Sequence, residues 1–318
     1  MQYSQMIAAQ KSIVVSDETP IPARGEVLMH IRACGVCASE LHPWLGEGSD
    51  VRYPRRLGHE PAGDVVAVGA DVTRFKVGDR VTGLSDCAYT DYRAIDEKAL
   101  LPLPDNVPYE QGLGEPLACL VNAQRRTAVP LASRVAIVGL GFMGLGMLQL
   151  VRLRNPGTLV AIDPRWEARK KALEMGATEA YAPDEVPDQY YVTEWQHWPT
   201  TRGLDVVIEG SGTQAGLTLA SKLVRAHGLL SILGYHQGGM RSVDMEMWNW
   251  KAIDVVNAHV RRFNDLMESM RVGLELLASK KLDLASLVTH RYPLSDVDQA
   301  YIDMRSKPAG FIKGVVLP

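Results

Sequence analysis

The sequence predicts an α/β protein, with a β-rich first third followed by a doubly wound parallel sheet. Three observations carry this. Residues 27–32 alternate in polarity, and 62–68 form a Val/Ala run beside glycines, both strand patterns. From Arg134 onward, short apolar runs alternate with helical stretches. Strand, helix, strand at that rhythm implies parallel pairing, because only a crossover brings the next strand back in the same direction.

The elements follow in order. Residues 39–54 read as a loop, on Pro43, Gly46, Gly48 and Asp50. Asp79-Arg80-Val81 continues the β-rich part after a Val-Gly turn, and 102–106 is irregular. Residues 134–138 form a strand, 145–153 a helix, and 159–162 a second strand ending at Asp163. A helix over 166–175, a strand over 205–209, a helix over 215–224 and a strand over 229–233 come next. Past Ala258, residues 267–277 are helical and 311–317 close the chain as a strand.

Bulk properties bound the function. A chain of 318 residues predicts two domains. Hydrophobic residues at 46% suffice for two cores without disulfides. The net charge of −3 argues against nucleic acid as a partner. No apolar run reaches the roughly 18 residues of a membrane span. The opening ten residues, 1–10, carry neither a basic nor an apolar leader segment, so a cytoplasmic protein is expected. Of the four cysteines, Cys34, Cys37, Cys87 and Cys119, none is expected in a disulfide. The Cys34-x-x-Cys37 pair lacks the second C-x-x-C of a four-cysteine zinc site, so Cys34 reads as structural.

Gly139-Leu140-Gly141-Phe142-Met143-Gly144 follows a strand and opens a helix, with Asp163 about 20 residues on, the spacing of a dinucleotide fingerprint. Gly139 permits the tight turn, Gly141 lets backbone approach a pyrophosphate, and Gly144 lets the helix lie close to the strand. Phe142 and Met143 fall inside this motif, just ahead of the helix whose N-terminal free N–H groups would meet phosphate. Asp163 is placed to hold two ribose hydroxyls, which selects NAD. Arg165 leaves two readings: a clamp for a 2′-phosphate, or a side chain stacked on adenine or facing water. A glycine-rich turn that binds no nucleotide is the plainer alternative.

Other groups bear chemistry. Cys37, Ser39 and His42 stand in Cys37-Ala38-Ser39-Glu40-Leu41-His42, followed by Gly58-His59-Glu60 and Gly114-Glu115-Pro116-Leu117-Ala118. A thiolate, an imidazole and carboxylates are what zinc takes. Their separation is too wide for spacing alone to establish a site, and a lone histidine is more often a core or surface residue.

These segments, with Gly63 and Val77-Gly78-Asp79-Arg80-Val81, resemble the medium-chain, zinc-containing alcohol dehydrogenase family, over nearly the whole chain. Gly114-Glu115-Pro116-Leu117-Ala118 is similar to its polyol and sugar branch, as in sorbitol dehydrogenases. The resemblance implies a GroES-like catalytic domain built from 1–118 and 258–318 around a Rossmann cofactor domain of 119–257. It implies one catalytic zinc held by Cys37, His59, Glu60 and Glu115, with Glu60 exchanging with water. Cys119 either competes for the Glu115 role or packs in a helix. Ser39 would receive the substrate proton and His42 pass it outward. Lys313, in the closing Phe311-Ile312-Lys313, would serve the cofactor. The implied reaction is reversible oxidation of a secondary alcohol (a polyol, sugar or cyclitol) to a ketone with NAD, by a homodimer or homotetramer. Two departures stand out. The four-cysteine structural zinc lobe is absent, since Gly83-Leu84-Ser85-Asp86-Cys87-Ala88-Tyr89 passes straight on, and Glu40 replaces the usual Asp. A zinc-free reductase and an inactive NAD-binding relative are the competing readings. Trp44, Arg56, Tyr89, His236 and Trp248 are either pocket residues or ordinary core and surface side chains.

Overall fold

The computed structural model describes residues 1–48, 51–197 and 201–318, so Asp50 lies outside the described residues. The chain divides into two compact units, 1–119 with 262–318, and 120–261.

In chain order the first part holds β1 (Gln2–Ala8), β2 (Lys11–Ser16), β3 (Glu26–Gly35), α1 (Leu41–Leu45), β4 (Pro61–Val68), β5 (Arg80–Gly83), β6 (Tyr92–Asp96), β7 (Leu100–Pro102) and α2 (Gly114–Arg126). The middle holds β8 (Arg134–Val138), α3 (Phe142–Arg152), β9 (Thr158–Ile162), α4 (Trp166–Glu174), β10 (Glu179–Tyr181), β11 (Leu204–Glu209), α5 (Gln214–Leu223), β12 (Val224–Ile232), α6 (Met245–Lys251) and β13 (Asp254–Asn257). The chain ends with α7 (Phe263–Ala278), β14 (Val288–Pro293), α8 (Val297–Ser306) and β15 (Lys313–Leu317).

The middle strands form one parallel sheet in the order β10-β9-β8-β11-β12-β13. The order reverses beside β8, whose carboxyl end is where open sheets of this kind take their ligands. The core there is Ala136, Val138, Val160, Ile162, Val207 and Leu230 with the apolar face of α5. These strands read as continuous apolar runs because both faces of the sheet are covered.

The first unit is built around β3, which alternates Val27, Met29 and Ile31 into a core shared with Trp44, Tyr89 and Tyr301. Its sheet runs β14-β15-β3-β4-β5-β7, with β6 also paired on β3. The last strand of the chain, β15, lies antiparallel to β3, with Val315 opposite Gly35 and Val316 opposite Cys34. All four cysteines are free, and Cys34 is fully buried in β3.

Two sequence expectations change. Residues 39–54 are not all loop: a 3-10 turn (Ala38–Glu40) runs into α1. The residues that suggested a loop are helix punctuation, Pro43 in the first turn, where a missing N–H is tolerated, and Gly46 at the left-handed C-cap with φ 81°. Helix α3 starts at Phe142, inside the glycine motif, rather than at 145. No helix among the described residues is long and apolar enough to cross a membrane.

Lys251 was invisible to pattern reading. It is fully buried, and its Nζ donates to the carbonyls of Ser221 and Val224 at 2.6 and 2.9 Å, capping the end of α5. Burial lowers its pKa from 10.5 to about 7, with the Asp244 charge opposing. Between those values the unfolded chain binds more protons than the folded one, so stability rises with pH across that window. Lys251→Met removes this dependence and strands the two carbonyls. Denaturant titrations should show a loss of about 1–3 kcal/mol near pH 7, widening toward pH 10.

Candidate active site

Strand register assembles this site from distant segments. Cys34 on β3 faces Pro61 on β4, and the Gly35 N–H donates to the Glu60 carbonyl at 3.1 Å. The chain leaving β3 therefore carries Cys37 past the residues entering β4, His59 and Glu60. From the other side, the Val36 N–H donates to the Gly314 carbonyl at 3.0 Å, which brings Lys313 alongside. Thr82, fully buried on β5, ties in the fourth segment. Its hydroxyl donates to the Pro61 carbonyl at 2.8 Å and accepts the Gly114 N–H at 2.8 Å, fixing the start of α2 and hence Glu115.

One ligand atom each from Cys37, His59 and Glu60 lies within 4.8 Å of the others. Glu115 stands outside that trio, in the first turn of α2, and accepts the Cys119 thiol at 3.2 Å. His59, Glu115, Leu84, Ser85 and Asp86 line a pocket of about 340 Å³. Leu84 to Asp86 is the stretch that passes straight on where the cysteine lobe was missed in the sequence.

The electrostatics are those of crowded anions around few cations. Lys313 is 2.6 Å from Glu60 Oε2, with both side chains buried, and also donates to the Val36 carbonyl at 3.0 Å. Burial alone pulls Lys313 down, but the charges of Glu60 and Cys37 outweigh it and hold the ammonium above its ordinary pKa. Burial, then the Glu60 charge, pushes the Glu115 carboxyl up. Burial and Glu115 raise the Cys119 thiol as well. His59 is pulled down by burial, yet hydrogen bonds to Cys37 and Glu40 prevail and raise it well above its usual range. A cysteine sulfur, an imidazole and two carboxylates, Glu60 buried and Glu115 half-buried, beside one ammonium are a set of soft and borderline donors that fits zinc.

Gly35 shows how closely the carboxylate is held. A Cβ there would sit 1.8 Å from Glu60 Oε2 and 2.9 Å from Leu113 Cδ1. Glu60 therefore occupies the space a side chain at 35 would need.

The remaining expected residues are placed as follows. The Ser39 hydroxyl donates to Cys37 Sγ at 3.2 Å. His42 Nδ1 pairs with the Glu47 carboxylate, a partner the sequence did not suggest. Lys313, expected at the cofactor, has its ammonium 2.6 Å from Glu60 Oε2, because the β15–β3 register delivers it beside the segment carrying His59 and Glu60. Trp44 and Tyr89 are core residues at 1% exposure, so they settle as packing rather than as pocket surface. Arg56 lies over the Tyr3 ring at 4.1 Å.

In the second unit, Gly139 takes φ 96° and Gly141 caps α3. A Cβ on Gly144 would fall 1.9 Å from the Gly139 carbonyl, so the helix lies on the turn itself. Gly141 is different: its φ is −76°, and a Cβ there would meet nothing within 4 Å. The protein's own packing therefore does not require glycine at 141. Phe142 and Met143 form the first turn of α3. Asp163 is 5% exposed and accepts the Leu140 N–H at 2.8 Å and the Arg165 N–H at 2.9 Å. Arg165 Nε lies 3.0 Å from Asp163 Oδ1, so the guanidinium rests on the carboxylate rather than projecting away from it. Glu209, fully buried at the end of β11, holds His236 at 2.8 Å.

Gly35→Ala should push Glu60 off Lys313. Chelator competition is expected to show zinc affinity reduced at least about tenfold, and melting curves a loss of about 1–3 kcal/mol.

A family model described as "Alcohol dehydrogenase GroES-like domain" matches residues 23–112, and one described as "Zinc-binding dehydrogenase" matches 143–275. Sorbitol dehydrogenase of Bacillus subtilis is 30% identical over 319 residues, covering 88% of this chain and 87% of that protein. L-galactonate-5-dehydrogenase of Escherichia coli is 25% identical over 332 residues, covering 94% of each. The crystal structure of a putative zinc-binding dehydrogenase from Sinorhizobium meliloti 1021, bound to NADP, superposes with a TM-score of 0.85 at 24% identity, covering 100% of this chain and 99% of that one.

Proposed function

The chain belongs to the zinc-type medium-chain alcohol dehydrogenase family and resembles its polyol branch, and from that premise we propose that it oxidises a polyol, sugar or cyclitol at a secondary alcohol, giving a ketone, with one zinc and NAD. The observation that carries the reading is the Cys37–His59–Glu60 cluster beside a pocket with polar walls at Ser85, Asp86 and Glu115.

Cys37, His59 and Glu60, with Glu115 in reach as the shell changes, would hold the metal. When bound, zinc would supply Lewis acidity and the nicotinamide would supply a hydride acceptor. The rest is work for this chain's own groups. Ser39 Oγ would accept the alcohol proton as it releases its own hydroxyl proton, donated to Cys37 Sγ in this structure, toward His42. His42 passes the proton outward, with the Glu47 carboxylate on Nδ1 fixing the orientation of the ring. Lys313 holds Glu60 in place and limits the negative charge the pocket presents. Ser85 and Asp86 offer hydrogen bonds to the further hydroxyls that distinguish a polyol from a simple alcohol.

A screen of polyols, aldoses, inositols and simple secondary alcohols, followed by nicotinamide absorbance, tests the reading. Turnover of a polyhydroxylated substrate that disappears with chelation is expected, and activity only on monohydroxy alcohols would overturn the substrate class. Elemental analysis should find one zinc per chain. Cys37→Ser should lose that zinc and the activity together, while nucleotide binding by the other unit persists.

Cofactor preference follows from Asp163. A 2′-phosphate brought within about 4 Å of that carboxylate costs up to roughly 4 kcal/mol per charge pair at an effective dielectric near 20, before screening. Arg165 lies on the same carboxylate and offsets part of that repulsion. NAD should exceed NADP in kcat/KM by about tenfold or more once salt screening is included. Asp163→Ala should narrow the gap by releasing Arg165 to a phosphate. A wild-type preference for NADP would show that Arg165, not Asp163, makes the selection.

A further inference from the structure

We infer that Tyr301, on the closing helix α8, is a positioning residue for the metal site, acting on His59 through Glu40. The inference rests on the metal reading above and concerns residues that none of the ligand assignments include.

Glu40 divides its two oxygens between two jobs. Oε1 accepts the Gly58 N–H at 2.8 Å and stands 3.1 Å from His59 Nδ1. That contact fixes the ring's orientation and leaves Nε2 for a metal. Oε2 accepts the Tyr301 hydroxyl at 2.8 Å. The carboxylate that aims His59 is thus itself aimed by a phenol 261 positions away in sequence.

The Tyr301 hydroxyl is buried, with the residue at 0% exposure, so it needs a partner to offset its desolvation. Its partners all lie on the site's supporting side. The Tyr89 hydroxyl is 3.2 Å away and also reaches the Gly35 carbonyl at 3.4 Å. The ring stacks on Trp44 at 5.4 Å between centroids and meets Tyr89 edge-on at 6.3 Å. A phenylalanine would keep those ring contacts and lose only the hydroxyl's bonds to Glu40 and Tyr89, so packing alone does not account for tyrosine.

The same helix grips the same segment a second time. Asp298, three residues before Tyr301 and on the same face, accepts Trp44 Nε1 at 2.7 Å. Its carboxylate also accepts the Ser12 hydroxyl and N–H at 2.7 and 2.6 Å. Residues 40 and 44 are therefore both tied to α8, and Ser39 and His42 lie on the stretch so held. A helix from the far end of the chain sets the orientation of a ligand histidine contributed by the first part.

Zinc affinity of the full-length protein, measured by chelator competition, tests this. Tyr301→Phe should lower affinity about ten- to a hundredfold, the range seen when a ligand histidine loses its outer partner. The metal-free variant should lose no more stability than one buried hydrogen bond is worth, since the ring remains. Glu40→Asp withdraws the carboxylate from Tyr301 and should lose a similar factor. The double variant should then be no worse than Glu40→Asp alone, because both changes break one chain of contacts. Tyr89→Phe, whose hydroxyl is 3.5 Å from Glu40, should lose less than Tyr301→Phe. Cobalt-substituted Glu40→Asp should show a shifted visible spectrum, which supplies an independent reading should Tyr301→Phe fail to fold. Unchanged zinc affinity in Tyr301→Phe, full additivity with Glu40→Asp, or an unshifted cobalt spectrum would overturn the inference. A wild-type chain that holds no zinc would instead overturn the metal reading.

Discussion

The buried pair between Lys313 and Glu60 is the contact on which the first unit depends. An ammonium and a carboxylate 2.6 Å apart, both removed from water, are expensive to bury and more expensive to separate. Taking away one partner of such a pair typically costs about 3–5 kcal/mol. Here the pair joins the last strand to the segment carrying two of the clustered ligand atoms. The Val36 carbonyl and the β15–β3 ladder hold the lysine on one side, and the absence of a side chain at Gly35 leaves room for the carboxylate on the other. The C-terminal strand is thereby part of the site's foundation.

The same pair organises the charge. Glu60 and Glu115 bring two carboxyl groups close to the Cys37 sulfur, and Lys313 is the ammonium paired with Glu60. Glu115 registers the crowding, with burial and Glu60 together holding its carboxyl up. His59 registers it from the other side, through Cys37 and Glu40. A divalent cation is the natural complement of such a set, because it neutralises the carboxylate and thiolate together while leaving the ammonium paired. Outside the cluster, Glu40, Tyr301 and Thr82 hold the ligand-bearing segments by hydrogen bonds whose polar atoms are shielded from water, where such bonds are strongest.

The second unit meets a different demand with backbone. Gly144 is needed by the protein, since helix and turn touch there, whereas a side chain at Gly141 would meet only open space. Asp163 is drawn inward by the Leu140 amide and covered by Arg165. The carboxylate is held in one position by the turn it helps to form.

The sequence by itself determined what depends on neighbours in the chain. Strand and helix periods, the glycine turn, the acid ending β9 and the family pattern around Cys37, His59 and Glu115 are short-range or motif-sized signals, and fold class and cofactor-motif placement were legible from them. The stretch 39–54 misled because Pro43 and Gly46 have the same composition whether they end a loop or punctuate a short helix. Only the tertiary structure decided the long-range pairings. Lys313 meets Glu60 because of strand register, which no local pattern near 313 encodes. Tyr301 reaches Glu40, and Thr82 links β4 to α2, because buried hydroxyls must find partners wherever the fold brings them. Lys251 caps α5 for the same reason, since carbonyls left at a buried helix end need a donor and the sequence does not say which one will arrive.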